Sequence, residues 1–409
     1  MRLKNCRNCR SNKIKELFTL GCLTYTGKFP QKENEKIKKG NLNLIICKKC
    51  NLVQLGNSFD LKYLYSPDYG YRTGINQTMT KHVEVISNSL TKKVHLKKGD
   101  AVLDIASNDG TLLNFYKKNI IKFGIDPLVN KYKNNYKHVN YKISNFFDYK
   151  KIQKKYKNKF KIITALSVFY DLENPNKFLN GIKKLLHENG VALIEIADLY
   201  SIIKYKMFDT ICHEHLEYYS TEVLLKMFKK NKLKLIDIKE NDINGSSKQY
   251  YLTNVDSNFK KNLKNINKVL RNEKKLKLNK IKIFISFKKE IDKLKKNLIS
   301  KLTTIKKQNK IIHGYGASTK GNVLLQYFGI DKNYLDFIAE RNPKKYGCYT
   351  PGTKIKIISE KKSRALKPDY YLVLPWHFKK EIIKRENSTL RAGSKFIFPL
   401  PDLKIVSNQ

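Results

Sequence analysis

Acidic residues are scarce in this chain: 35 Asp and Glu stand against 83 Lys and Arg, a formal net charge of +48 over 409 residues. An excess of that size attracts phosphates, and nucleic acid is the first partner to weigh. Yet the lysines run through every segment, with no basic arm at either end, and Asn and Ile are abundant too, as in an AT-rich coding bias. No RNA-stacking motif or DNA-reading helix stands out. A negatively charged small substrate suits a basic protein equally well. Long apolar runs are also missing. No stretch reaches about 18 apolar residues, so no membrane span is expected. The start, Met-Arg-Leu-Lys-Asn-Cys, lacks an apolar signal core, which predicts a cytoplasmic protein with reduced thiols. There is no short-period repeat and no low-complexity tail.

What remains is an ordinary globular composition, 41% hydrophobic, at a length that suits two or three domains. Residues 1 to about 55 carry cysteines and little apolar periodicity. Residues 75 to 255 alternate strand-like and helical runs, with strands expected at Ala101–Ile105, Phe123–Ile125, Lys161–Leu166, Val191–Ile196 and Lys234–Ile238. That alternation implies βαβ units and a mainly parallel sheet. Residues 258–308 have almost no Gly or Pro and repeat apolar positions among lysines, which reads as one or two amphipathic helices between domains. A second α/β pattern follows over 309–409. Its strands are expected at Lys310–Gly314, Leu335–Ala339, Tyr370–Leu374 and Lys395–Phe398, with a helix at Gly321–Phe328.

Four motifs carry chemistry. Cys6-x-x-Cys9 and Cys47-x-x-Cys50 supply four soft thiolates suited to tetrahedral zinc. Four protein ligands leave no open position, so such a zinc is structural; two redox motifs are the alternative. Cys22, Cys212 and Cys348 lie outside the pattern.

The second motif runs from Val102 to Leu113. An apolar strand ends in the small-residue turn Asp104-Ile105-Ala106-Ser107-Asn108-Asp109-Gly110 and enters a helix, the geometry of a nucleotide-binding loop. About 20 residues on, Asp126 ends the next strand, where an acid can accept two ribose hydroxyls. The loop lacks GxGxxG and any phosphate-binding Lys-Ser/Thr. A cofactor without phosphates, such as S-adenosylmethionine (SAM), therefore fits better than NAD or ATP.

The third motif, Phe208 to Ser220, packs His213, Glu214, His215, Glu217, Tyr218 and Tyr219 together after strand Val191–Ile196, at the carboxyl side of the sheet. In an extended segment His213 and His215 share one face and Glu214 takes the other. A His can remove a proton next to a carbonyl and a Glu can orient it. A surface run is the bland alternative. A metal site is another, although no further His or carboxylate is placed to complete it.

The fourth motif is His313-Gly314-Tyr315-Gly316-Ala317-Ser318-Thr319-Lys320-Gly321-Asn322. Strand, glycine turn and helix put backbone amides and a helix N-terminus at one spot, which favours anions, and Lys320 adds a charge for a phosphate. A purely structural β-α turn would look similar.

Taken together, these motifs resemble the SAM-dependent sugar-nucleotide C-methyltransferases. The resemblance extends through Ser167-Val168-Phe169-Tyr170-Asp171-Leu172-Glu173-Asn174-Pro175, Tyr349-Thr350-Pro351-Gly352-Thr353 and Leu374-Pro375-Trp376-His377-Phe378. It implies an α/β fold with a zinc-binding domain over 1–60 and a Rossmann-like SAM-binding domain over 61–257. A helical linker over 258–308 and a Rossmann-like sugar-nucleotide domain over 309–409 complete it. By this resemblance Asp104, Ala106, Ser107, Asn108, Asp109, Gly110, Asp126, Ser167 and Val168 hold SAM. Tyr69, Tyr71, Gly314, Tyr315, Ser318, Thr319 and Lys320 hold the substrate, a nucleotide-linked 4-keto sugar. The base is His215, assisted by Glu214, with His213 as its rival. Two departures stand out. Cys212 occupies a position where some members have Tyr, leaving that role vacant or filled by Tyr69, Tyr71 or Tyr218. Ala106 replaces the usual Gly of the SAM loop. Methyl transfer to oxygen or nitrogen is the runner-up chemistry, and a zinc-containing nucleic-acid-binding protein is the reading outside enzymes.

Overall fold

A computed structural model of the chain describes residues 2–66 and 69–408. Three sheets organise it. The first is antiparallel and joins Ile14–Thr24, Lys39–Cys47 and Val53–Leu55 to the distant pair Glu217–Tyr218. Its long strands escape a periodicity search for a physical reason. Register shifts between Glu16 and Phe18 and between Thr19 and Cys22 interrupt the two-residue alternation.

The central sheet has seven strands, with Leu233–Asn241 at one edge. Next come Ser247–Asn254, Leu186–Ile196, Phe160–Leu166, Ala101–Ile105, Ile121–Ile125 and Tyr141–Ile143. From Leu186–Ile196 to Tyr141–Ile143 the pairing is parallel; the two strands at the other edge are antiparallel. Buried on both faces, the parallel strands read as continuous apolar runs, and every residue of Ala101–Ile105 is buried. All five expected strands are present here. Ser247–Asn254 carries Ser, Lys, Gln and Thr on a buried strand and gives no apolar signal.

The third sheet has six strands. Ile357–Ser359, Ile338–Glu340, Ile312–Tyr315, Tyr370–Val373 and Lys395–Phe398 run parallel, and Lys404–Val406 closes the edge antiparallel. The unexpected strands Ile357–Ser359 and Lys404–Val406 have three residues each, too few to show a period.

Helices Leu263–Leu276 and Ile281–Lys307 follow the central sheet. The second buries Phe284, Phe287, Ile291, Leu294, Leu298, Leu302 and Ile305, a stripe at three- and four-residue spacing. Phe287 meets Phe18 of the first sheet with ring centroids 5.9 Å apart, so this helix is a wall of the core rather than a free spacer. Among the described residues no helix is long and apolar enough to cross a membrane.

Candidate active site

Four thiols meet where two turns leave the first sheet. Their sulfurs all lie within 4.8 Å of one another, with Cys6–Cys50 at 3.6 Å and Cys9–Cys47 at 3.5 Å. Ligands about 2.3 Å from a tetrahedral zinc need separations of this size. The two turns are copies of one device. Arg10 donates its amide to the Cys6 carbonyl and Asn51 to the Cys47 carbonyl, and both turn residues take left-handed φ near +60° (62° and 61°). Among the described residues this is the one group of three or more His, Cys, Asp and Glu placed to hold a metal.

The chemistry-bearing loops of the other two sheets open into one shared cavity of about 620 Å³. On the central sheet, Ala106 and Ser107 donate their amides to the Ile125 carbonyl as the chain leaves Ala101–Ile105. Ala106 and Asn108 both have positive φ, 57° and 51°. Asn tolerates that region; Ala pays about 1 kcal/mol, which explains why glycine suits position 106. Asp126 accepts the Asn108 amide on one oxygen at 3.0 Å and the Leu128 amide on the other at 2.7 Å. A carboxylate has about four acceptor positions, so two remain, enough for a vicinal diol. Asp104 receives the Thr164 hydroxyl at 2.6 Å. Burial pushes the carboxyl of Asp104 up to about 7 and that of Asp126 up to about 6.

Asp104, Ala106, Ser107, Asn108, Asp126, Ser167 and Val168 line the cavity. Asp109 and Gly110 do not. Asp109 is fully buried and accepts the Gly74 amide and the Arg72 guanidinium, each at 3.0 Å, clasping residues 72–74 over the loop. Gly110 lies against the Tyr136 ring at φ 74°. Glu195 also lines the cavity, held by His82 at 2.8 Å and Gln249 at 2.6 Å. A lone acid inside the apolar run Val191–Ile196 was the available signal for it.

The segment around His213 is not extended, and the face assignment made from sequence is corrected accordingly. His215 donates its amide to the Cys212 carbonyl, closing a turn. Beyond it, Leu216 and Glu217 donate to the Tyr170 carbonyl, and Glu217–Tyr218 pairs with Val53–Leu55. The turn sends Glu214 and His215 together into the cavity. His213 goes the other way. It is buried between Tyr25 and Phe59, at ring-centroid distances of 4.5 and 4.9 Å, with Nε2 at 3.2 Å from the Gly40 carbonyl. Tyr218 is likewise outside the cavity lining, and its hydroxyl donates to the His215 carbonyl at 2.9 Å.

His215 is half-buried, with Nδ1 2.7 Å from the Thr210 carbonyl. Burial lowers its pKa to about 4, so the ring is neutral at pH 7. Burial raises Glu214, whose two oxygens sit unsatisfied within the protein, and raises Asp171 well above its ordinary value. Cys212, Tyr69, Tyr71 and Tyr170 line the same recess. So do Tyr315, Ser318, Thr319, Lys320 and His377 from the third sheet.

Gly314 stays behind the lining; a Cβ there would collide with Ile338 Cδ1, so it serves strand packing. Lys320 reaches the Asn244 carbonyl at 2.8 Å. Burial lowers its pKa, and its charge acts on Asp209, Cys212, His215 and His377. Lys320 and His215 thus line one cavity, close enough for the ammonium to act on the imidazole. His377, whose Nδ1 lacks a partner, lines the cavity too, and its place in the Trp-His-Phe run is the only sign of it in the sequence. Its neighbour Trp376 donates to buried Asp209 at 2.8 Å.

Three domain models match the chain in order: a zinc binding domain over residues 6–65, a methyltransferase domain over 78–238 and a C-methyltransferase C-terminal domain over 242–401. C-methyltransferase NovU of Streptomyces niveus is 24% identical over 378 residues, 90% of this chain and 87% of that protein. Among solved structures, a SAM-dependent methyltransferase from Clostridium acetobutylicum ATCC 824 is 14% identical, with 42% of this chain and 91% of that one covered at a TM-score of 0.35. The plantazolicin methyltransferase BamL, solved with a triazolic desmethylPZN analogue and SAH, is also 14% identical, covering 44% and 86% at a TM-score of 0.35. With zinc and SAM as its cofactors and the three domains matched in order, the chain is a SAM-dependent methyltransferase, similar over nearly its whole length to C-methyltransferases with an amino-terminal zinc-binding domain.

Proposed function

We propose that the enzyme methylates carbon 3 of a nucleotide-linked 4-keto-deoxysugar, with His215 as the base. One observation carries this reading. The His215 ring is held by a backbone carbonyl on Nδ1 at the meeting point of a cofactor loop and a second, anion-favouring turn. A carbonyl only accepts, so Nδ1 carries the hydrogen and Nε2 keeps its lone pair for the cavity. Carbon methylation needs a carbanion, and a hydrogen next to a ketone is acidic enough to yield one. His215 Nε2 takes that proton, the C–H pair moves into the ring, and negative charge collects on the ketone oxygen. Lys320, whose charge already acts on His215, offsets the charge on this oxygen. Glu214 sits beside the base and takes up the proton relay; Tyr69, close to Glu214, stands in for the tyrosine that Cys212 replaces. SAM, when bound by Asp126, the Asp104–Asn108 loop, Ser167 and Val168, supplies an electrophilic methyl. Cys6, Cys9, Cys47 and Cys50 hold the structural zinc.

The test is the product. The enzyme is incubated with nucleotide-linked 4-keto-deoxysugars and carbon-13 methyl SAM, and NMR reports which atom bears the label. A methyl on C3 supports the reading; a methyl on oxygen or nitrogen overturns it.

A further inference from the structure

The third sheet repeats the strand, tied turn and carboxylate arrangement on which the reading of Asp126 as a ribose acceptor rests. In the central sheet the turn after Ala101–Ile105 is tied by the Ala106 amide to the Ile125 carbonyl at 2.8 Å. In the third sheet the turn after Ile312–Tyr315 is tied by the Gly316 amide to the Ala339 carbonyl at 2.7 Å. Both tied strands are parallel neighbours, Ala101–Ile105 with Ile121–Ile125 and Ile312–Tyr315 with Ile338–Glu340. Each neighbouring strand then presents a carboxylate at its end. Asp126 takes the Asn108 amide from the opposite turn; Glu340 takes the Ala317 amide at 2.7 Å. Gly316 makes the close approach possible, since its φ is 83° and a Cβ there would meet Pro375 at 2.7 Å. The turn leads into the ten-residue helix Thr319–Phe328, and Glu340 and Asp126 line the same cavity.

The two carboxylates differ in how much bonding capacity is left. Asp126 has accepted one amide on each oxygen. Glu340 has accepted two on Oε1, from Arg341 at 2.9 Å and Asn342 at 2.8 Å, and one on Oε2. Of about four acceptor positions, one is free, on Oε2. A carboxylate in this place of a strand-turn-helix unit receives sugar hydroxyls of a bound nucleoside. We infer that Glu340 is the acceptor for a single furanose hydroxyl of the substrate's nucleoside. This makes it a second nucleoside site in the cavity, one that reads one hydroxyl where Asp126 reads two. The inference rests on the reading that the substrate is nucleotide-linked. The diphosphate would then lie toward the N-terminus of helix Thr319–Phe328, where the first-turn amides have no partner inside the helix.

The experiment uses the zinc-replete full chain saturated with SAH, so that the Asp126 site is filled. Calorimetry measures binding of ADP, CDP, GDP and UDP, then of the 2′-deoxy and 3′-deoxy forms of whichever binds tightest. Loss of one hydroxyl should weaken binding by roughly tenfold or more, the scale of a lost hydrogen bond to a charged group, and loss of the other should change it by less than about threefold. Glu340→Gln should abolish that difference and leave SAH affinity unchanged. Equal effects of the two deletions, or a difference that survives in Glu340→Gln, would overturn the assignment. Should Glu340→Gln fail to fold, the two deoxynucleotides on the unaltered protein decide the matter alone. If none of the four nucleotides binds, the nucleotide-linked substrate falls together with the inference. If they bind without discriminating hydroxyls, only the inference falls.

Discussion

His215 and Thr210 are joined by a 2.7 Å contact between an imidazole Nδ1 and a backbone carbonyl, and this contact separates the two histidines of the run. It orients the His215 ring with its other nitrogen free, while His213 is sealed between Tyr25 and Phe59. His215→Asn should slow methyl transfer by about 10²–10⁴-fold, the usual cost of a general base, while SAM and substrate still bind. Solvent deuterium exchange at the substrate's C3, where it occurs without methyl transfer, should disappear in the same variant. His213→Asn should change turnover much less and should show instead as lost stability. Reversed effects would move the base two residues upstream, and unchanged turnover in both would end the enolate mechanism centred on this segment.

The pairing that produces this geometry shows where sequence reading stops. The motif was legible because His, Glu and Tyr are dense in it, and its place after a sheet strand was legible from the Val191–Ile196 run. The direction of each side chain was not, because a turn closed by the His215 amide and the Cys212 carbonyl leaves no residue-type signature. Contacts between distant segments were equally silent. Glu217–Tyr218 completes a sheet begun near residue 14, and Lys320 reaches the Asn244 carbonyl. Parallel core strands, by contrast, announced themselves through unbroken apolar runs. The strand Ser247–Asn254 did not, since its buried Lys248 is neutralised by Asp198 at 2.5 Å rather than excluded from the core.

Asp126 offers the clearest single test of the cofactor loop. Its two free acceptor positions match a ribose diol, and hydrogen bonds to a charged acceptor contribute about 1.5–3 kcal/mol. Asp126→Ala should weaken SAM binding by that amount in calorimetry. Unchanged affinity would remove Asp126 from the site.

SAM binding should also release protons. Burial holds the carboxyls of Asp104 and Asp126 at about 7 and about 6 in the free protein. At pH 6 Asp104 is therefore mostly protonated and Asp126 about half so. The cation of SAM and its ribose hydroxyls favour the ionised forms, so both pKa values fall on binding. Affinity should then rise with pH through 6 to 7 and level off above. The released protons are countable by calorimetry in buffers of different ionisation enthalpy at pH 6. SAH lacks the sulfonium charge and should show a shallower rise. Proton uptake, or no proton change, would contradict the assignment of these two carboxyls to the SAM pocket.

Zinc should matter to catalysis although it stands apart from the cavity lining. Arg7, between Cys6 and Cys9, is fully buried and donates to the Leu55 carbonyl at 2.8 Å. It also pairs with Glu173 at 3.3 Å and Glu217 at 3.8 Å. Leu55 belongs to the strand that pairs with Glu217–Tyr218, and Tyr218 in turn holds the His215 carbonyl. A zinc that fixes the Cys6–Cys9 turn thus fixes Arg7, the Arg7 ion pairs and the backbone on which the base is mounted. Without it, Arg7 loses the turn that holds it, and with Arg7 go its bond to the Leu55 carbonyl and its place beside Glu217. Chelation should therefore unfold the first sheet and lower turnover by at least about tenfold. SAM affinity should stay within about threefold, because the Asp104–Asn108 loop and Asp126 sit on the central sheet. Metal analysis should find one zinc per chain before chelation, and zinc added back should restore turnover. Full turnover in metal-free protein would break the chain of contacts from Cys6 to His215, and a parallel loss of SAM binding would show that zinc supports the whole fold rather than the base.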